Sequence, residues 1–397
     1  MLSSDPMTPK FQFRPHIIDV DLPKRTYYAQ TVLADINNDG KDEFILGQQY
    51  GNIYWYQYHE NKTWTRHLLG TRSPSDVGAC AFDVDGDGWI DLVTGGAWYQ
   101  NSRDPNRPFI RHVFDPKLKA VHDLVAADID GDGKLEVLTM SDKNNLRWYK
   151  IPSDPTQRWQ RHDIGESVHA GLSVGDIDGD GDLDIVRTDV WLENVKGDGS
   201  EWVWHPIGPS TLPPEDFRVP YAYSATCSKV CDINQDGKND ILFTDAEIPG
   251  GHVWWMENVD GKGLEWKRHA IYNPNADTTA HRRGAYHSLF AGDLDGDGDI
   301  DVFSCEMEAV GGEAPPRFYI WENVDGRGEQ WKEHVILDIN LGGHATVLGD
   351  ITGSGTLDML TKPWRSHQKN ALSGSMYVMF LENMNLENIN SQKRRLP

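Results

Sequence analysis

Short apolar runs alternate with polar turns along almost the whole chain. The aromatic-rich runs "NIYWYQY" (52–58), "NLRWYK" (145–150), "HVWWMEN" (252–258) and "FYIWEN" (318–323) have strand length, and no apolar run is long enough to span a membrane. Between them recurs an acidic phrase, beginning at Asp35 (DINNDGKDE), Asp83 (DVDGDGWID), Asp128 (DIDGDGKLE), Asp176 (DIDGDGDLD), Asp232 (DINQDGKND), Asp293 (DLDGDGDID) and Asp350 (DITGSGTLD). Ahead of each stands an aromatic residue followed three positions later by histidine: Phe13 and His16, Trp64 and His67, Phe109 and His112, Trp159 and His162, Trp202 and His205, Trp266 and His269, Trp331 and His334. One copy therefore offers four short strands with turn signals between them, at a period of about 45 to 60 residues, which is the signature of a β-propeller blade.

The seventh phrase is followed by "MYVMFLEN" but by no further aromatic–histidine strand, whereas the first such strand, "FRPHIID", precedes the first phrase. The pattern predicts an all-β, seven-bladed β-propeller over residues 11–383. The N-terminal strand at 11–19 is expected to complete the last blade, so that no sheet edge is left free. Residues 1–10 form an extension, and the polar tail 384–397 is expected to be disordered.

The acidic phrases explain much of the formal charge of −23. Oxygens at phrase positions 1, 3, 5 and 9, with a backbone carbonyl at 7 and turn-forming glycines at 4 and 6, can wrap one hard cation. The expected ligands are Asp83, Asp85, Asp87 and Asp91; Asp128, Asp130, Asp132 and Glu136; Asp176, Asp178, Asp180 and Asp184; Asp293, Asp295, Asp297 and Asp301. Two copies with asparagine at position 3 are expected to bind more weakly: Asp35, Asn37, Asp39 and Glu43; Asp232, Asn234, Asp236 and Asp240. An oxygen-only set of this size favours Ca²⁺ in a structural role. A metal-free Asx turn is the alternative. The seventh copy, with Thr352 and Ser354, reads as such a turn.

These residues resemble the FG-GAP/VCBS repeat propellers, whose repeat pairs an apolar strand with a D-x-D-G-D-G loop. The single-domain form is similar to seven-bladed carbohydrate lyases acting on rhamnose–uronic acid linkages. It is also similar to the propeller part of aldos-2-ulose dehydratases, "YHSLFAGDLDGDGDIDVFSCEME" (286–308) being the most reminiscent stretch. The cupin-like second half of the dehydratases has no counterpart here.

If each acidic loop joins the innermost strand of a blade to the second, the entry to the first strand and the exit of the second share the opposite face, around the channel. At those entries stand His122, His287 and His344, each six positions before a phrase, and His169, seven before. Other entries carry Arg25 and Tyr28 in "KRTYY", Arg218 and Tyr223 in "FRVPYAYS", and Arg283 in "HRRGAYH". Exits carry Asp245 and Glu247, Glu306 and Glu308, and Lys362, Trp364, Arg365 and His367. The outer-strand histidines (His67, His112, His162 and their kin) are expected to be structural, bonding blade to blade.

A mouth of His, Tyr, Arg and Trp suits a carbohydrate, since aromatic faces stack on sugar rings and guanidinium pairs with carboxylate. It also suits β-elimination, which needs a cation beside the uronate, a base for C5–H and an acid for the leaving oxygen. By the role types of the lyases it resembles, Arg283 or Arg218 neutralises the carboxylate, His287 or His169 is the base, and Tyr223 the acid. Arg25, Tyr28, Trp364, Arg365 and Glu306 bind the sugar. His122, His287 and His344 could instead hold one transition-metal ion. A keto-sugar dehydratase, a glycosidase using Glu306, Glu308, Asp245 and Glu247, and a non-catalytic carbohydrate- or protein-binding propeller are the competing classes.

The net charge argues against nucleic acid or anionic membrane as partner. Four cysteines, with Cys227 and Cys231 roughly 13 Å apart at strand rise, predict free thiols rather than disulfides. The N-terminus lacks a basic, apolar export signal, so a cytoplasmic protein is expected, or a secreted one whose signal lies outside this sequence.

Overall fold

The computed structural model describes residues 9–23, 27–75, 77–207, 226–274, 283–308 and 315–385. Their strands form seven four-stranded antiparallel sheets. Six sheets run in simple sequence order; the first, for example, comprises β2 (Tyr28–Ala34), β3 (Glu43–Gln48), β4 (Ile53–Tyr58) and β5 (Trp64–Gly70). The seventh contains β26 (Val347–Gly349), β27 (Asp358–Thr361) and β28 (Val378–Asn383), and its outer strand is β1 (Phe13–Asp19). Arg14 faces Glu382 and His16 faces Phe380 in that pairing. The N-terminal strand thus closes the ring, and residues 11 and 12 lead into it with Phe11 buried. Residues 1–8 and 386–397 lie outside the described residues, and with them most of the expected extension and tail.

The first strands of the blades touch in ring order: β2, β6 (Ala79–Phe82), β10 (Val121–Ala127), β14 (Leu172–Gly175), β18 (Thr226–Cys231) and β22 (Phe290–Gly292), with β26 returning to β2. These strands surround the channel. Second strands such as β3, β11 (Glu136–Ser141) and β19 (Asp240–Asp245) are buried at every residue, while outer strands keep exposed positions. The burial gradient follows from geometry: a middle strand is covered by a blade on either face, an outer strand only in part.

Two devices join neighbouring blades, and neither was read from the sequence. In the first, the indole N–H of a third-strand tryptophan crosses to the next blade. Trp148 donates to the Gly199 carbonyl (3.3 Å), Trp191 to Gly263 (2.9 Å) and Trp255 to Gly328 (3.2 Å). Each glycine has a positive φ, and a Cβ there would lie 2.6–2.8 Å from the indole, so the contact requires glycine on both counts. In the second, an asparagine ending the third strand donates its amide to the carbonyl at phrase position 2 of the preceding blade: Asn101 to Ile36 (2.7 Å), Asn194 to Ile129 (2.9 Å) and Asn258 to Ile177 (2.7 Å). The position-9 carboxylate bonds the backbone N–H of that same asparagine, as Asp240 Oδ1 does for Asn258 at 2.9 Å. Replacing Asn258 by alanine strands the buried Ile177 carbonyl. A stability loss of about 1–3 kcal/mol is expected, read as a lower denaturant midpoint with unchanged slope.

The outer-strand histidines, expected to bond blade to blade, mainly pack and bond within their own blades. His162 stacks on Trp148 of its own blade (centroids 3.9 Å, 7° between planes), as do His67 on Trp55, His112 on Trp98 and His269 on Trp255. His269, His334 and His16 also bond glutamates of their own sheets. Two of these reach another blade: His67 through the Pro105 carbonyl at 3.1 Å, and His334 edge-on to Phe11 at 4.9 Å. The cause is simple: antiparallel pairing puts the third- and fourth-strand side chains directly opposite each other. The four cysteines are unpaired.

Candidate functional site

Each acidic phrase follows a first strand and ends where the second begins, so all of them occupy one face. The carboxylate at position 1 closes the turn: Asp176 accepts from Gly179 (2.8 Å) and Gly181 (3.1 Å). The position-9 carboxylate is buried, and Asp184 accepts from Ile177 and Asn194, both at 2.9 Å. Burial pushes Glu136 and Asp184 up to about 7. Four phrases bring three carboxylates close enough to share one ion: Asp83, Asp85 and Asp91; Asp128, Asp130 and Glu136; Asp176, Asp178 and Asp184; Asp293, Asp295 and Asp297. In the third copy, Asp128 Oδ1 and Asp130 Oδ1 are buried with no hydrogen-bond partner. Side-chain cations pair with the carboxylates of four copies: Lys150 with Asp130 and Asp132, Arg103 with Asp87, Lys10 with Asp295, and Lys238 with Asp236 of its own phrase. In the first copy the Asn37 amide donates to Asp39 (3.1 Å) and Glu43 (2.7 Å), so hydrogen bonds replace part of the charge compensation. In the seventh, Thr352 donates to Asp358 (3.0 Å).

The opposite face carries the strand entries and exits. His122 sits in a β-bulge between Val121 and Asp123, a defect that frees its side chain from the ladder register. His169, His287 and His344 lie just before β14, β22 and β26. Although drawn from four blades, the rings meet. His122 and His169 centroids are 4.2 Å apart, His122 and His287 5.8 Å, and His287 and His344 3.9 Å with nearly parallel planes. All four are buried.

Their environments differ sharply. His169 bonds Asp142 through Nδ1 (2.8 Å) and Glu247 through Nε2 (3.3 Å). Burial opposes its charge, but the two carboxylates prevail and raise it to about 9, so it is an imidazolium at neutral pH. His287 has neither ring nitrogen hydrogen-bonded, and burial holds it below the usual histidine range. His344 is lowered well below that range, by burial first and then by its closeness to His287 and Lys362, beside which a further positive charge is unfavourable. Its Nδ1 lies 2.8 Å from Lys362 Nζ, which also donates to the Tyr28 carbonyl. Complete burial lowers Lys362 to about 7 although Glu308 is nearby. Burial raises Glu308 to about 7, and its Oε2 has no hydrogen-bond partner.

Three predicted residues serve the framework instead. Arg283 forms a two-pronged ion pair with Glu333 (2.8 and 2.9 Å) and lies over the Tyr272 and Tyr319 rings. Glu306 accepts from the backbone of Gly284 and Arg317 and from the Tyr319 hydroxyl. Tyr28 is fully buried, its hydroxyl donating to Pro23 and accepting from Gln48. Its neighbour Tyr27 is the exposed ring, and it stacks on Trp364 at 5.1 Å. Trp364 in turn stacks on His344 at 4.9 Å. Arg365 is exposed beside Trp364, with its backbone N–H on Glu308. Arg25, Arg218 and Tyr223 lie outside the described residues.

Asp142, which holds His169, and Asp123, which holds His122, were not singled out from the sequence, and Lys362, at His344, was placed only at a strand exit. For two of them the signal is position: Asp142 and Lys362 follow the second strands β11 and β27, as Glu247 follows β19.

Seven four-stranded sheets in a closed ring, with acidic turns on one face and a histidine cluster on the other, define a seven-bladed β-propeller. The model of the FG-GAP-like repeat matches residues 35–94, 128–186, 232–304 and 293–361, more than half of the chain, and the protein belongs to that family. No curated protein matches its sequence. Among solved structures, BBS1N in complex with ARL6DN matches 94% of this chain and 97% of its own, at 9% identity and TM-score 0.55, a likeness of fold. The exotype rhamnogalacturonan lyase YesX (12% identity, 92% of this chain and 75% of that one, TM-score 0.45) and the NanB sialidase from Streptococcus pneumoniae (11%, 96% and 72%, TM-score 0.46) are more distant in shape. At such scores they do not bear on what this chain does.

Proposed function

We propose that the histidine face is the active centre of a carbohydrate lyase that eliminates across C4–C5 of a uronate-containing oligosaccharide. The observation that carries this reading is the contrast within one cluster: a charged imidazole, His169, beside neutral ones, His287 and His344. Groups whose environments push their protonation states apart supply an acid and a base together. The Tyr27–Trp364 pair offers a stacking surface for a sugar ring, and Arg365 a cation for its carboxylate.

His344 is the base in this scheme. With Lys362 neutral, the ring donates its Nδ1 proton to Nζ and leaves the Nε2 lone pair for C5–H. The proton taken at Nε2 is balanced by one passed from Nδ1 to Lys362. His169 gives its proton to the leaving oxygen, and the C5–H electrons form the C4=C5 double bond. Glu306 is committed to backbone amides, which weakens the glycosidase alternative.

Incubation with uronate oligosaccharides should raise absorbance near 235 nm; a product with no new double bond overturns the reading. The rate should rise with pH through about 7, as Lys362, facing His344, Glu308 and Cys305, loses its proton. A rate that falls across that window removes the His344–Lys362 relay.

We also propose that the phrases at Asp83, Asp128, Asp176 and Asp293 hold structural Ca²⁺. The partnerless buried oxygens of Asp128 and Asp130 support this.

A further inference from the structure

We propose that His122, Glu247 and His287 form a binding site for one divalent transition-metal ion of the zinc class, set across the mouth of the channel. The inference rests on the reading of this face as the active centre, but on separate observations.

One ligand atom from each of the three residues lies within 4.8 Å of the others. The residues come from the third, fifth and sixth blades, so only closure of the ring brings them together. Each ligand is prepared. His122 Nδ1 lies 2.7 Å from Asp123 Oδ1, while Asp123 Oδ2 accepts from the backbone of Gly171 (2.7 Å) and Leu172 (2.8 Å). A carboxylate anchored in that way accepts a hydrogen bond from Nδ1–H and leaves the Nε2 lone pair for a metal, the usual arrangement behind a metal-bound histidine. Gly171 is needed for the anchor: its φ is +99°, and a Cβ would lie 2.3 Å from the Thr188 and Thr226 hydroxyls. Glu247 is oriented from behind by His169, which is itself held by Asp142.

His287 completes the set. It is 4% exposed, and neither nitrogen has a hydrogen-bond partner. Glu247 Oε1 stands 3.7 Å from its Nε2, beyond hydrogen-bond range. Leaving a buried polar group unpaired is unfavourable, and a metal ion would relieve it. Two imidazoles and one carboxylate suit zinc better than calcium, and three protein ligands leave a fourth position for substrate or water. His344 lies outside this set: the ligand atoms found within 4.8 Å of one another are those of His122, Glu247 and His287.

Chelator-treated protein should be titrated with Zn²⁺ in the presence of excess Ca²⁺, which occupies the oxygen-only loops. One Zn²⁺ per chain is expected, with binding lost in His122→Ala and His287→Ala. Asp123→Asn, which keeps the shape but weakens the hold on Nδ1–H, should reduce affinity about 10- to 100-fold. Co²⁺ in place of Zn²⁺ should give visible absorption that His287→Ala lacks. Equal Zn²⁺ binding by wild type and His287→Ala, or none by wild type, overturns the site. Zinc bound without any change at 235 nm would sink the lyase reading and leave the metal site standing. Turnover by protein that neither contains nor binds zinc would do the opposite.

Discussion

His344→Gln should lose turnover on a uronate oligosaccharide by about 10² to 10⁴-fold, the usual cost of removing a general base. Glutamine keeps a polar group near Lys362 Nζ and fills much of the imidazole volume, but it cannot take a proton from C5. The melting temperature should move by only a few degrees, because His344 packs on His287 and Trp364 rather than inside one of the blade cores. Lys362→Met should lower the rate too, since the proton leaving Nδ1 then has no acceptor. Unchanged rates in both variants would show that His344 and Lys362 form a buried polar pair with no part in chemistry. A loss of rate matched by unfolding in both would place the pair in the framework.

Calcium removal should have the largest effect on stability. Ligand that binds only the folded state contributes RT ln(1 + [L]/Kd), about 2.7 kcal/mol per loop at a hundredfold excess over Kd. Four such loops share one chain, so chelation should lower the melting temperature well beyond what one core substitution does. The physical reason lies in the carboxylates, which repel one another at close range unless a cation intervenes. Asp130→Ala in the third loop should remove one ion and part of the shift. The two phrases with asparagine at position 3 should contribute less; in the first of them the Asn37 amide already donates to Asp39 and Glu43. A melting temperature indifferent to chelator, together with no calcium in elemental analysis, rejects the metal reading and leaves the phrases as Asx turns.

Much of the site was legible because blade register is periodic. His122, His287 and His344 stand at the same distance from their phrases, and so enter the channel at the same height. Arg283 shows the limit of that reasoning. Its position in the repeat matches a rim residue, yet its guanidinium is taken by Glu333 and two tyrosines. Tyr28 and Tyr27 differ by one place in a strand entry, and a one-residue step reverses the face a side chain occupies. The sequence pattern favours neither.

By itself the sequence determined the number of blades, the closing strand and the face on which the acidic turns lie. That information is local and repeated seven times: an apolar strand, a turn built on Asp and Gly, and an aromatic strand of set length. Which side chains meet across the axis was decided by the tertiary structure alone. His122 and His287 are 165 positions apart, and Glu247 joins them only when the ring has closed. A repeat specifies where a residue lies within its own blade; the distance between blades depends on closure, and on which neighbour reaches a carboxylate or an amine first.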